Sequence, residues 1–247
     1  MLQIIYSEEM MIKINNLTKK YKEKYAVNNL NLEIKSGELF SLLGTNGAGK
    51  TTTIKILSTL ILPTSGEVKI NNFDLTKDSA KIKEIINISP QETAIAPNLT
   101  VIENLYFMVG IYQITNKEEK INELVKIFKL DDVLKQKAKT LSGGYQRKLS
   151  IAISLINSPK ILFLDEPTLG LDVISRHDLW NIIESLKGNT TIILTTHYME
   201  EAEKLSDRIG IMNKGKLIEL GTAKELIKKK KAKTFEDAFI KTIEEDN

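Results

Sequence analysis

The 247 residues predict an α/β fold: a mainly parallel sheet carrying helices, with a small antiparallel sheet ahead of it and an all-helical segment inserted into it. Three observations carry this reading. Short apolar runs at 39–43, 160–164 and 190–195 alternate with stretches of helical period, as buried parallel strands alternate with their crossover helices. A glycine-rich turn follows the first run and leads straight into a helix. Between Thr100 and Asn157 the apolar spacing is three and four throughout, the period of helices packed by one face.

Taken in order, alternation over 11–17 and 29–34, with Leu30, Leu32 and Ile34 on one side, predicts two half-buried strands that open the chain as an antiparallel pair. The run 39–43 is a strand ending in Gly44-Thr45-Asn46-Gly47, and it feeds a helix over 49–60. Short strands are expected at 67–70 and 85–89, with a polar helix near 77–84 between them. Helices follow at 101–112, 117–130 and 144–157. Strands return at 160–164, 190–195, 207–212 and 215–220, with helices at 174–187 and 198–205. The turn Asn213-Lys214-Gly215 makes the last two strands a hairpin, and Thr222 with Glu225 three residues on is a capping box that starts a terminal helix. The domain reading is a flexible extension at 1–9, a main domain at 10–221 with a helical subdomain at about 90–158, and a helical tail at 222–247.

Composition excludes several classes. With 42% hydrophobic residues the chain can fill a core, which argues against a disordered or fibrous protein. Lys and Arg total 35 against 32 Asp and Glu, and a net charge of +3 is too weak to imply a nucleic-acid partner. No cysteine and two histidines exclude a disulfide framework, a thiolate metal site and a His-rich one, and favour a reducing, cytoplasmic setting. The longest apolar stretches, 57–62 and 151–156, fall far short of the roughly 20 residues that span a bilayer.

The chemistry concentrates in two motifs. Gly44-Thr45-Asn46-Gly47-Ala48-Gly49-Lys50-Thr51 satisfies the phosphate-loop pattern of glycine, four residues, glycine, lysine, then serine or threonine, in the strand-to-helix context it needs. Its glycines let backbone N–H groups turn onto phosphates, the helix N-terminus adds its positive end, Lys50 reaches the β and γ phosphates, and the Thr51 hydroxyl is placed to ligate Mg²⁺. The buried run at 161–164 ends on Asp165 and Glu166, adjacent carboxylates that divide the labour: Asp165 on the metal side, Glu166 orienting or deprotonating a water. These two motifs leave kinases, GTPases and ATPases open. Between them Leu141-Ser142-Gly143-Gly144-Tyr145-Gln146-Arg147 opens a helix, a second N-terminus suited to an anion, although Ser-Gly-Gly alone is also an ordinary helix cap.

In that order the motifs resemble those of the ATP-binding cassette (ABC) family, whose signature is Leu-Ser-Gly-Gly-Gln, and the resemblance covers about residues 11–220. It implies a P-loop NTPase core with ATP and Mg²⁺ as cofactors. Gln91, in Ser89-Pro90-Gln91-Glu92, resembles the Q-loop glutamine expected to touch Mg²⁺ and sense the γ-phosphate; Gly170-Leu171-Asp172 looks like the D-loop, and His197 like the switch histidine. Tyr21 stands at the spacing of the aromatic that stacks on adenine, with Tyr25 as its alternate. ATP would then be held by Tyr21, Asn46, Gly47, Ala48, Gly49, Lys50, Thr51, Thr52 and Gln91, with Thr51, Gln91 and Asp165 at the metal, Glu166 as general base, and His197 and Lys50 on the γ-phosphate. Ser142, Gly143 and Gly144 would serve the nucleotide of a second cassette, a copy of this chain or a related one. Tyr145 stands in place of the signature glutamine, and His177 matches no motif and is read as solvent-facing.

The stretches around Glu166–Asp172, Ser175–Trp180, His197–Glu203 and Thr234–Phe239 look like the exporter branch that handles drugs, antimicrobial peptides, lipids or polysaccharides. The resemblance therefore implies separate permease subunits, a place at the cytoplasmic face of the cell membrane, and no nucleic acid; the rival is a soluble ABC ATPase acting on ribosomes or in assembly. Val101, Leu105 and Met108 on one helix face and Ile121, Leu124 and Ile127 on another offer more apolar surface than a small insert easily buries; core packing takes part of it, and by the resemblance the rest, with the loop after Gln91, is expected to form a groove for a permease helix. The lysines at 228–231 are read as a solvated helix C-terminus, where cations are favoured.

Overall fold

The computed structural model describes residues 9–246, and its strands divide between two sheets. The smaller is antiparallel, in the order β2-β1-β4-β5, with β1 at Met10–Tyr21, β2 at Lys24–Lys35, β4 at Ser65–Ile70 and β5 at Phe73–Asp74. Ile12 pairs with Ile34, Ile14 with Leu32 and Leu17 with Leu30, so the alternating apolar residues share one buried face. The register shifts between Ile14 and Leu17 and again past Leu17, where the strands run on into a lysine-rich hairpin tip that has no apolar alternation to betray it. β5 is too short to show a period; the turn that makes it joins Asn71 and Asn72, both at positive φ (47° and 65°), a conformation asparagine tolerates.

The larger sheet has the order β10-β9-β3-β8-β7-β6. Its strands are β3 (Leu39–Gly44), β6 (Ile86–Ser89), β7 (Ile161–Asp165), β8 (Thr191–Thr196), β9 (Arg208–Asn213) and β10 (Lys216–Gly221). All neighbours are parallel except β9 and β10, which form the expected hairpin with Lys214 and Gly215 at positive φ. The continuous apolar runs reflect burial on both faces. Phe40, Leu42, Phe163 and Ile193 face the antiparallel sheet and α1 (Lys50–Leu57). Leu39, Leu162, Leu164, Ile192 and Leu194 face the helical layer of α3 (Val101–Ile111), α4 (Lys117–Phe128), α5 (Gly143–Ser154) and α6 (Val173–Ser185).

The remaining helices are α2 (Ser79–Ile85), α7 (Met199–Leu205), α8 (Ala223–Lys229) and α9 (Phe235–Glu245). Four expectations are corrected. α1 stops at Leu57 rather than at 60, because Thr59 takes a left-handed φ of 62°, leaving Leu60 and Leu62 exposed. The faces of α3 and α4 expected to stay partly open are covered: Val101, Leu105, Ile121 and Leu124 are buried, and Met108 and Ile127 pack against the same core. α3 instead exposes Tyr106, Phe107 and Ile111. The tail is two helices, split where Lys231 turns at φ 48°, and it is docked, with Leu226 and Phe235 buried against Leu43, Ile209 and Ile211. Lys230 is held between Glu219 and Glu245, and Lys229 also pairs with Glu219, so the lysine run is partly neutralised. Of the extension, residues 1–8 lie outside the described residues; the Glu9 carbonyl accepts from the Ser36 N–H at 3.0 Å, which ties that residue to the sheet. Among the described residues no helix is long and apolar enough to cross a membrane.

Candidate active site

Parallel strands end together, so the loops that leave their carboxyl ends meet. β3 delivers the phosphate loop, β7 delivers Asp165 and Glu166, β8 delivers His197, and β6 delivers Gln91. They enclose a cleft of about 500 Å³ whose lining includes Tyr21, Asn46, Gly47, Ala48, Gly49, Lys50, Thr51, Thr52, Gln91, Glu166 and His197. Gly49 sits at φ 104°, and a Cβ there would lie 2.3 Å from the Ala26 carbonyl oxygen, so only glycine fits. As the N-cap of α1 it offers no side chain to the first-turn N–H groups, which leaves them for an anion.

Lys50 is buried, and its Nζ donates to the carbonyls of Gly44 at 2.8 Å and Thr45 at 3.3 Å while standing 3.4 Å from Glu166 Oε1. Glu166 is buried too, with φ at 50°; its N–H donates to the Thr195 carbonyl and hydroxyl, each at 3.1 Å, and its Oε2 is 2.7 Å from His197 Nδ1. The His197 ring packs on Tyr198 with centroids 4.2 Å apart, and the Arg176 guanidinium covers Tyr198 from 4.6 Å. Thr51 Oγ1 donates to Asp165 Oδ1 at 3.1 Å, bringing a hydroxyl and a carboxylate together beside Gln91, which lines both the cleft and a second cavity against Lys55 and Asp165. A hydroxyl, one carboxylate and an amide carbonyl are hard oxygen donors, the set that suits Mg²⁺ when phosphates complete its shell.

Tyr21 stands at the cleft while Tyr25 lines a neighbouring cavity with Asn213 and Lys214. Ser142, Gly143 and Gly144 are absent from the cleft lining. Ser142 caps α5, accepting from the Tyr145 N–H, and Gly144 abuts the start of α6, where a Cβ would lie 2.8 Å from Ser175 Oγ. Tyr145 is half-buried against the helical core with Lys148 over its ring. Asp172 N-caps α6, and the hydrogen bonds from Ser175 hold its carboxyl below the ordinary range. His177 is exposed and packs edge-on to Trp180.

Two buried charges behind the site escaped the motif reading. Arg147 donates from Nε to the Pro167 carbonyl at 2.7 Å and from Nη2 to the Asp165 carbonyl at 2.9 Å, and burial draws its pKa down to about 10. Glu201 accepts from Thr168 Oγ1 at 2.7 Å and Trp180 Nε1 at 3.0 Å; its Oε2 has no hydrogen-bond partner among the described residues, and burial pushes its carboxyl up. The signal was available in each case: Arg147 falls on the stripe of Ile151, and Glu201 on that of Leu205, and a charge on a buried helix face needs an interior partner.

A phosphate loop facing paired carboxylates and a strand-end histidine, with a second glycine-rich helix start outside the cleft, defines an ATP-binding cassette. Residues 27–169 match the family model described as ABC transporter, and the chain belongs to that family. It is 40% identical over 219 residues to the linearmycin resistance ATP-binding protein LnrL of Bacillus subtilis (strain 168), an alignment covering 87% of this chain and 70% of LnrL. It is 42% identical over 212 residues to the phospholipid-transporting ATPase ABCA3 of Homo sapiens, covering 83% of this chain but only 12% of that much longer protein. The solved dimeric, post-hydrolysis structure of the ATP-binding cassette MJ0796 bound to ADP and Pi superposes with a TM-score of 0.76 at 30% identity, covering 86% of this chain and 98% of that one.

Proposed function

We propose that this chain is the ATP-binding and ATP-hydrolysing subunit of an ABC exporter, closing as a dimer to drive separate membrane subunits from the cytoplasmic face. The carrying observation is the convergence of Lys50, Glu166 and His197: one carboxylate, buried at the end of the phosphate cleft, contacts both a cation and an imidazole. In this reading Lys50 and the α1 N-terminus take the β and γ phosphates, Tyr21 takes the adenine, Glu166 accepts the proton of the attacking water, and His197 contacts the γ-phosphate. Thr51, Asp165 and Gln91 would hold Mg²⁺, which when bound offsets charge on the phosphate oxygens. The exporter assignment is supported by LnrL and by the daunorubicin/doxorubicin resistance ATP-binding protein DrrA of Streptomyces peucetius, 39% identical over 218 residues. The permease would dock beside Gln91, at the cavity lined by Lys55, Pro90, Glu92 and Ala94, and on the exposed face of α3.

Mixing two inactive chains tests the shared site. Lys50→Ala and Ser142→Arg should each fail to trap ATP alone, while their mixed dimer holds one site with an intact Lys50 facing an intact Ser142 and traps it. No trapping in the mixture would show that both groups serve a nucleotide within one chain.

A further inference from the structure

Arg147 is buried at 4% exposure, and its hydrogen-bond partners are backbone carbonyls from two separate loops. On one side Nη2 and Nε hold the carbonyls of Asp165 and Pro167, the residues that flank Glu166. On the other Nη1 holds the carbonyls of Pro90 and Gln91, the latter at 3.3 Å. Glu166 occupies the left-handed region at φ 50°, a conformation that a residue with a side chain keeps only where its surroundings impose it. The Thr195 backbone and hydroxyl fix its N–H, and Arg147 holds the carbonyl of that same peptide at Asp165 and, one residue beyond Glu166, the carbonyl of Pro167. A guanidinium is a rigid planar fork, so the two pairs of carbonyls cannot shift independently while it bridges them. At its lowered pKa of about 10 the group still carries its proton at neutral pH.

We infer that Arg147 is a positioning residue: it sets the direction of the Glu166 carboxylate by holding the carbonyls of Asp165 and Pro167 on either side of it, and makes that setting follow the loop that carries Gln91. The inference rests on the reading of Glu166 as general base and deepens it by naming the link between the loop beside the proposed permease cavity and the water-activating group. Movement of residues 90–91 would be felt at 165–167 through one side chain, without passing through the nucleotide.

Arg147→Lys tests this, because a single ammonium keeps the charge and loses the fork. In the full-length chain kcat for ATP hydrolysis should fall at least about tenfold, an interaction lost in the transition state, with KM for ATP within about threefold and the melting temperature little changed. In the Arg147→Lys background Gln91→Ala should cost less turnover than it does in the wild type, since the link is already cut. Unchanged kcat, or strictly additive losses with Gln91→Ala, would overturn the inference. Arg147→Gln, which donates through one amide, carries the same measurements if the lysine variant unfolds; loss of cooperative melting in both variants makes Arg147 a support of the fold and overturns the inference as well. Glu166→Gln is measured alongside. If it keeps near-normal turnover the reading of Glu166 fails, whereas if it is inactive and Arg147→Lys is not, only the role of Arg147 fails.

Discussion

Replacing Glu166 by glutamine separates the two things its carboxylate does. Oε1 is 3.4 Å from Lys50 Nζ and Oε2 is 2.7 Å from His197 Nδ1, so on the proposed reading a γ-phosphate takes over both partners when ATP binds. At 3.4 Å the attraction between Lys50 and Glu166 is about 5 kcal/mol for an effective dielectric constant of about 20, before the desolvation of both ions is subtracted. The amide abolishes that competition and the repulsion between carboxylate and phosphate. If only about 1 kcal/mol survives as a net difference, ATP binds about fivefold more tightly. Hydrolysis moves the other way, since an amide accepts no proton from water; loss of a general base lowers kcat by about 10²- to 10⁴-fold, or about 2.7–5.4 kcal/mol in the barrier. Phosphate release under saturating ATP and equilibrium titration with a fluorescent ATP analogue measure the two effects on the same protein. Turnover within tenfold of the wild type would refute the general-base assignment, and weaker nucleotide binding would refute the competition between Glu166 and the γ-phosphate for Lys50.

Two other substitutions probe the frame around the site. Gly49→Ala forces a side chain into φ 104° with its Cβ 2.3 Å from the Ala26 carbonyl; strain of about 1–3 kcal/mol should lower the melting temperature by several degrees and weaken ATP binding at least tenfold, and an unaltered protein would show that the loop shifts freely. Glu201→Gln reads out a buried carboxyl. Because burial raises its folded pKa above the unfolded 4.5, the wild type gains stability from this group at pH below that value and loses it as pH rises through the raised one, while glutamine does not titrate. The melting temperature of the wild type relative to Glu201→Gln should therefore fall with rising pH, and a difference that is flat or grows would contradict the assignment.

The larger sheet was legible because its strands are buried on both faces: Leu162 and Leu164 serve one apolar layer, Ile161 and Phe163 the other, and no polar residue interrupts the run. The phosphate loop was legible because its function constrains consecutive residues, down to a glycine at φ 104°. What escaped was set by contacts distant in sequence. Period alone shows that α3 and α4 have apolar faces, yet it does not say how completely α5 and the sheet cover them, so a remainder was expected to stay open where Leu105 and Leu124 are buried. The docking of the helical tail was not legible because Leu226 and Phe235 find their partners in β3 and β9, and no local pattern announces it. Arg147 and Glu201 stand inside recognised motifs but bind through carbonyls, a hydroxyl and an indole that belong to other elements.

The same distinction bears on Ser142, Gly143 and Gly144. Every other candidate ligand of the nucleotide lines the cleft or contacts a residue that does, and these three face away, capping α5 with Ser142 exposed. A helix start of this kind leaves N–H groups that want an anion, and this chain's own phosphate loop cannot supply one there. Beside it α6 opens with Val173 at 65% and Ile174 at 83% exposure, and Leu169 stands 40% exposed on the same connection from Glu166. Large aliphatic side chains next to a helix N-terminus favour a second cassette over solvent, with the apolar groups buried against it and its triphosphate brought to Ser142. A symmetric pairing then fills both signature sites at once, so ATP itself becomes part of the interface. Dimer lifetime should on this reading depend on whether Glu166 can cleave the nucleotide that holds it.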